Sequence, residues 1–175
     1  LYRTLGDYLS YQLIDFYGSS LVNSYGSLKH AATDDASWYM TPDAFTKHHF
    51  LAKTLTFASL RLFQKIEKNN LNNHDFLSVA SYLRLKFLKD KFNNQEEYVK
   101  ALQKHYDFFE RSSARSKFLF SLALEDYNKG ITFHYKNKPE VEGLIKKAHK
   151  DLENELAIYP NSDFKGEIMA LMKLI

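Results

Sequence analysis

Ala148-His149-Lys150-Asp151-Leu152-Glu153-Asn154-Glu155-Leu156-Ala157-Ile158-Tyr159-Pro160-Asn161-Ser162 is the stretch that decides the fold class. Ala148, Leu152 and Leu156 recur at four-residue intervals, and the run closes on a proline turn, which is the period of an amphipathic helix followed by a stop signal. A small residue at position 148 lets a neighbouring helix approach closely. The stretch therefore predicts a helix that packs face to face against another helix.

Working outward, the same period predicts about seven helices. The first covers roughly 3–25, with Leu5, Leu9, Leu13, Phe16, Tyr17 and Leu21 on one face. The second starts at Thr41 as cap, with Pro42 at the first helical position and Asp43 at the positive helix end. It is expected to run unbroken to Asn69-Asn70, with His48 and His49 adjacent on it. The third covers 74–92 after Asn73. The fourth starts at Asn94, with Glu97 three residues on in a capping-box-like arrangement. The fifth starts near Ser113 and is expected to stop at Lys129-Gly130. The loop from Ile131 to Asn137, with Phe133 and Tyr135, follows it. The sixth covers 139–159 and the seventh 163–175. No segment alternates with period two long enough to predict a strand.

Ala58, Ala101 and Ala148 each precede a same-face residue by four positions (Leu62, His105 and Leu152) and an apolar residue by eight (Ile66, Phe109 and Leu156). A small residue, two apolar residues and a terminal proline at such offsets are the spacing of the second helix of a tetratricopeptide unit. The predicted fold is all-α: stacked antiparallel helical hairpins forming a single domain over residues 1–175, with no repeat signature in residues 1–70 and tetratricopeptide-like hairpins in residues 71–175.

From Gln95 to Met172 the chain resembles the tetratricopeptide-type outer-membrane assembly lipoproteins of the BamD kind. The resemblance rests on Gln95-Glu96-Glu97-Tyr98-Val99-Lys100-Ala101-Leu102, on Asp107-Phe108-Phe109-Glu110-Arg111, and on Leu152, Leu156 and Tyr159-Pro160-Asn161-Ser162 with Phe164. Ser112-Ser113 stands where that pattern places Tyr-Pro in the earlier unit. The resemblance implies a periplasm-facing scaffold in the cell envelope, held at the outer membrane by a lipid anchor upstream of this sequence, whose partner is a β-barrel assembly protein.

Composition agrees with a helical protein. Hydrophobic residues make up 45% of the chain, and 6 Gly and 3 Pro are too few for a turn-rich β fold. With 14 Phe and 12 Tyr, large rings must fill the helix contacts. The 24 basic and 21 acidic residues leave a net charge of +3, too balanced to call for a nucleic-acid partner. There are no cysteines, which excludes disulfides, thiolate catalysis and cysteine zinc sites. No apolar run reaches the length of a transmembrane helix. The sequence begins at Leu1 without methionine, so it is expected to be a trimmed or processed segment, and any signal peptide would lie upstream.

Candidate chemistry is thin. His149 and Glu153 are four apart on one helix face, a spacing that a metal can bridge and that surface polar pairs also adopt. His74-Asp75 matches the short motif of HD-type metal phosphohydrolases, with His48 or His49 upstream and Asp107 or Asp126 downstream. The glycine-containing helix that usually follows that pair is replaced by Phe76-Leu77-Ser78-Val79, and capping and dipole complementarity at a helix start are a sufficient explanation of Asp75. The six glycines are scattered, so no phosphate loop is expected. The Phe and Tyr stripes fit core packing better than the lining of a small-molecule regulatory pocket.

The function expected is a non-enzymatic protein–protein interaction scaffold with no cofactor and no metal. Its partner is expected to be a peptide or loop received in a helical groove. Phe133 and Tyr135 in the loop, and Met169 and Met172 on a last helix that is apolar to its last residue, with only Lys173 charged after Glu167, are the expected contact residues. The rival expectations are a helical small-molecule-binding regulatory domain and the phosphohydrolase.

Overall fold

The computed structural model describes residues 3–18, 35–49, 55–133 and 138–175. Every regular element among them is helical: α1 (Leu5–Gly18), α2 (Pro42–Phe45), α3 (Leu55–Asn69), α4 (His74–Phe92), α5 (Gln95–Phe108), α6 (Ser116–Phe133), α7 (Lys138–Ile158) and α8 (Lys165–Met172), with short 3-10 turns at Ala36–Tyr39 and Ser113–Arg115. The all-α class is the one read from the sequence. By contact, the chain divides into two compact units, Leu1–Ala101 and Leu102–Ile175.

Local chemistry sets the starts of α4 and α5. The Asn73 side chain accepts the Phe76 N–H at 3.3 Å and opens α4, and Asn94 accepts the Glu97 N–H at 3.2 Å and opens α5. Each satisfies a backbone donor that the first helical turn leaves without an internal partner. Between these helices Asn93 adopts a left-handed conformation (φ 52°) and donates its backbone N–H to the Lys89 carbonyl. Asparagine tolerates that conformation better than most residues.

In the first unit α3 and α4 form an antiparallel hairpin, as the cross-pairs Glu67–Arg84 and Phe63–Phe87 show. Helix α1 packs on α3, with Tyr11 meeting Phe63 edge to face at 6.3 Å. Trp38, 2% exposed, lies against the rings of Phe57 and Phe92. Leu60, Phe63, Ile66, Leu77, Leu85 and Leu88 complete a dry core. Fully burying side chains of this size stabilises the fold by about 1.5–3 kcal/mol each.

In the second unit α6 and α7 form the other antiparallel hairpin, crossed by the pairs Ser116–Glu155 and Asp126–Lys147. Ala123 and Ala148 are both buried in this hairpin's core beside Leu152. The close approach expected at Ala148 is therefore present. Helix α8 packs on both members, placing Ile168 and Leu171 in the same cluster. Phe109 stacks on Phe118 with ring planes 3° apart.

Three sequence expectations are corrected. The helix expected over 41–70 is not continuous: α2 is a single turn, His48 and His49 lie outside any helix, and α3 begins at Leu55. Gln64 on α3 explains the interruption, because its Nε2 donates to the carbonyls of Phe45 and His48, both at 2.7 Å, and so holds the chain out of helical register. On α3 the buried stripe is Ser59, Leu60, Phe63, Ile66 and Glu67, while Ala58 and Leu62 are half-buried, so Ala58 does not mark the packed face. Lys129-Gly130 does not end α6, which continues to Phe133; the Thr132 hydroxyl donates to the Asn128 carbonyl at 2.8 Å within this last turn.

Candidate functional site

Helix α1 turns its apolar stripe outward. Asp7, Ser10, Tyr11 and Ile14 are buried and lie one helical face apart from Leu5, Tyr8, Leu9, Leu13 and Phe16, whose exposures are 73%, 40%, 52%, 43% and 58%. At about 100° per residue the outer set, with Gln12 among it, covers an arc of roughly 140° that contains no charged side chain. On the inward face the Ser10 hydroxyl donates to the Gly6 carbonyl at 2.8 Å, and the backbone N–H of Asp7 donates to Thr4 Oγ1 at 3.0 Å. Tyr11 and Ile14 are therefore the residues that anchor α1 to α3, and the larger apolar set is left for solvent.

The expected contact residues are dispersed. Phe133 is the last residue of α6, and its side chain, like the whole of Tyr135, lies outside the described residues. Met169 is 45% exposed on α8. Met172 is half-buried against the cluster of Ala123, Ala148, Leu152, Ile168 and Leu171. Helix α8 is thus not apolar toward solvent on every side. One face completes the core of its own unit, leaving Met169 and, beyond the helix end, Leu174 at 67% exposure on the surface.

Of the residues weighed for chemistry, Asp107, Asp126 and His48 have side-chain partners within the protein. His74 and Asp75 occupy the first turn of α4 behind the Asn73 cap. Asp126 pairs with Lys147 at 2.9 Å, and Asp107 accepts from Gln103 at 2.9 Å. His48 Nε2 is 3.3 Å from the Ser37 hydroxyl. His149 is half-buried and Glu153 exposed on α7. Among the described residues no three His, Asp or Glu side chains gather as a metal site would require.

Two buried ionic clusters were not foreseen. In the second unit Glu155, 1% exposed, accepts from Arg115 Nη2 at 2.8 Å, the Ser116 hydroxyl at 2.8 Å and the Tyr106 hydroxyl at 3.2 Å. The Arg115 guanidinium lies over the rings of Tyr106 and Tyr159, 4.5 and 5.1 Å from their centroids. Tyr159 in turn donates its hydroxyl to the Glu110 carbonyl at 2.9 Å. Burial, with the Glu155 carboxylate beside it, pushes the Tyr106 hydroxyl up to about 12. A sequence signal existed. Glu155 shares a helical stripe with Ala148 and Leu152, and a carboxylate on a core stripe calls for a cation opposite.

In the first unit Arg84 and Glu67 are both fully buried. Arg84 Nε donates to Glu67 Oε1 at 2.8 Å, Nη2 donates to the Met40 carbonyl at 2.9 Å, and Nη1 donates to the Trp38 carbonyl. The guanidinium also stands 3.8 Å over the Phe45 ring. Burial pushes the Glu67 carboxyl up from its ordinary value, and the Arg84 charge against it pulls the other way. Both clusters use their polar atoms on neighbouring protein groups, which ties distant parts of each unit together. No known protein family, curated protein or solved structure matches the chain.

Proposed function

We propose that this chain is a non-enzymatic protein–protein interaction module whose contact surface is the outward face of α1. The observation that carries the reading is the uncharged arc of Leu5, Tyr8, Leu9, Leu13 and Phe16, exposed on a helix already anchored by its opposite face. Contiguous exposed apolar surface of this kind marks interaction sites. The spacing of these residues, over about 16 Å of helix, suits an apolar groove or an amphipathic helix of another protein. Met169 and Leu174 offer a smaller apolar surface in the second unit. The tetratricopeptide-like, cell-envelope lipoprotein form of this reading rests on the resemblance over residues 95–172 and on the alanine spacings.

A photo-crosslinking amino acid in place of Leu9, introduced in the cells that make the protein, tests the reading. A discrete adduct with one other protein is expected. It should disappear when Leu5 and Phe16 are changed to Lys while the circular dichroism spectrum is unchanged. An adduct confined to this same chain, or one indifferent to those two changes, would refute the α1 surface.

A further inference from the structure

A second surface, distinct from the α1 stripe, has the opposite character. Thr46, Lys47, His48, His49, Arg61, Gln64, Lys65, Lys68, Asn69 and Leu71 line a groove of about 690 Å³ in the first unit. Four of these side chains are fully cationic, two are imidazoles, and none is acidic. The chain as a whole carries only +3, so this concentration is local.

Helix α3 sorts its charges to produce the groove. Arg61, Lys65 and Lys68 are exposed at positions i, i+4 and i+7 and form one basic row, whereas Glu67 on the same helix is turned into the core against Arg84. Among the described residues no carboxylate pairs with Lys47, Lys65 or Lys68 within ion-pair distance. Like charges four apart weaken a helix by a few tenths of a kcal/mol, so the row costs stability that an acidic residue at one position would recover. The opposite wall is fixed rather than loose. The Gln64 amide holds the carbonyls of Phe45 and His48, and the His48 ring meets Ser37. This places Lys47, His48 and His49 beside the basic row.

We infer that this groove binds a compact polyanion bearing several phosphate groups. Its volume falls within the range of small-ligand sites, and cationic side chains converging on a concave surface concentrate anions there. Arg and Lys supply the charge-assisted donors that phosphate oxygens accept. Leu71 is the only apolar lining residue and the only rings in the lining are the His48 and His49 imidazoles, with no Phe, Tyr or Trp to form a stacking platform, so the cationic side chains direct recognition to the phosphates.

Isothermal titration calorimetry on the full chain, with inositol hexakisphosphate and with inorganic tripolyphosphate at about 0.15 M salt, tests the inference. Flotation with phosphatidylcholine vesicles, with and without phosphatidylinositol bisphosphate, forms the other arm. Saturable one-to-one binding of a soluble probe is expected. The Lys65→Gln and Lys68→Gln double variant should weaken it roughly tenfold or more, a loss of about 1.4 kcal/mol, while Lys146→Gln on α7 changes nothing. Binding to soluble probes alone identifies a free polyphosphate. Additional binding to the phosphoinositide vesicles identifies a headgroup. No saturable heat with either soluble probe, unchanged binding by the double variant, or tighter binding of a single-stranded RNA than of either probe would each overturn the inference.

Discussion

Removing the Glu155 carboxylate strands three donors at once, because Arg115, Ser116 and Tyr106 all converge on it. Breaking a buried ion pair from one side leaves an uncompensated charge and costs about 3–5 kcal/mol. Arg115 retains 14% exposure, so water reaches it and Glu155→Ala should fall near the lower end of that range. Urea denaturation followed by circular dichroism measures this, and an unmoved midpoint would contradict the cluster. Tyr106 gives the same site a signature in alkali. Its hydroxyl, pushed up to about 12 from 10.0, stays protonated in the folded chain over a window in which the unfolded chain has ionised. The folded state binds the extra proton there, so this group's contribution is whole below about pH 10 and is lost as pH rises toward 12. Absorbance titration of the 12 tyrosines should lose a late-ionising component of one tyrosine in Tyr106→Phe. A titration identical in the variant would show that Tyr106 is not held this way.

At the scale of the element, α1 reverses the usual cost of substitution. Leu9 is 52% exposed, so Leu9→Lys should shift stability by no more than about 0.5 kcal/mol. Ile14, 4% exposed against α3, should cost several times as much when changed to Lys, because a charge enters a dry contact. Thermal melts of the two variants read the difference, and equal losses would place Leu9 in the core after all. On α7, Ala148→Trp forces a ring into the contact shared with Ala123 and should cost about 1–3 kcal/mol or more by the same measurement. Much of this level was legible in the sequence. The helix starts at Asn73 and Asn94 could be read because a cap bonds a residue three positions on; the start at Pro42 was legible from the proline alone, since the Thr41 side chain makes no capping bond there. The close contact at Ala148 was legible because Leu152 and Leu156, four and eight positions on, are apolar. The direction of α1 was not, since Tyr11 and Ile14 on one face compete with five apolar residues on the other, and the choice is made by Phe63 far along the chain. The break after α2 was equally hidden. Thr46-Lys47-His48-His49 contains no glycine or proline, and the residue that interrupts the helix, Gln64, acts from 16 to 19 positions away.

Across the whole molecule, each compact unit carries its own buried ionic cluster; the stripe position of Glu155 signals a buried carboxylate, but the partners in neither cluster were legible, because they are distant in sequence and have no motif. Arg84 reaches back 44 and 46 residues to the carbonyls of Met40 and Trp38, and Glu155 is tied to residues 40 and 49 positions before it. Such ties differ in kind from the helix caps, which close over three residues. Closing a long loop costs chain entropy before the contact returns anything, so local helices form early and distant ties late. A contact absent from the folding transition state acts on the rate of unfolding. Stopped-flow measurements on Arg84→Met should therefore show a refolding limb close to that of the parent and an unfolding limb markedly faster; a slowed refolding limb would instead put the tie in the nucleus. The Arg84 cluster, described above as a set of distances, thereby becomes a clock: it governs how long the first unit, once folded, stays so.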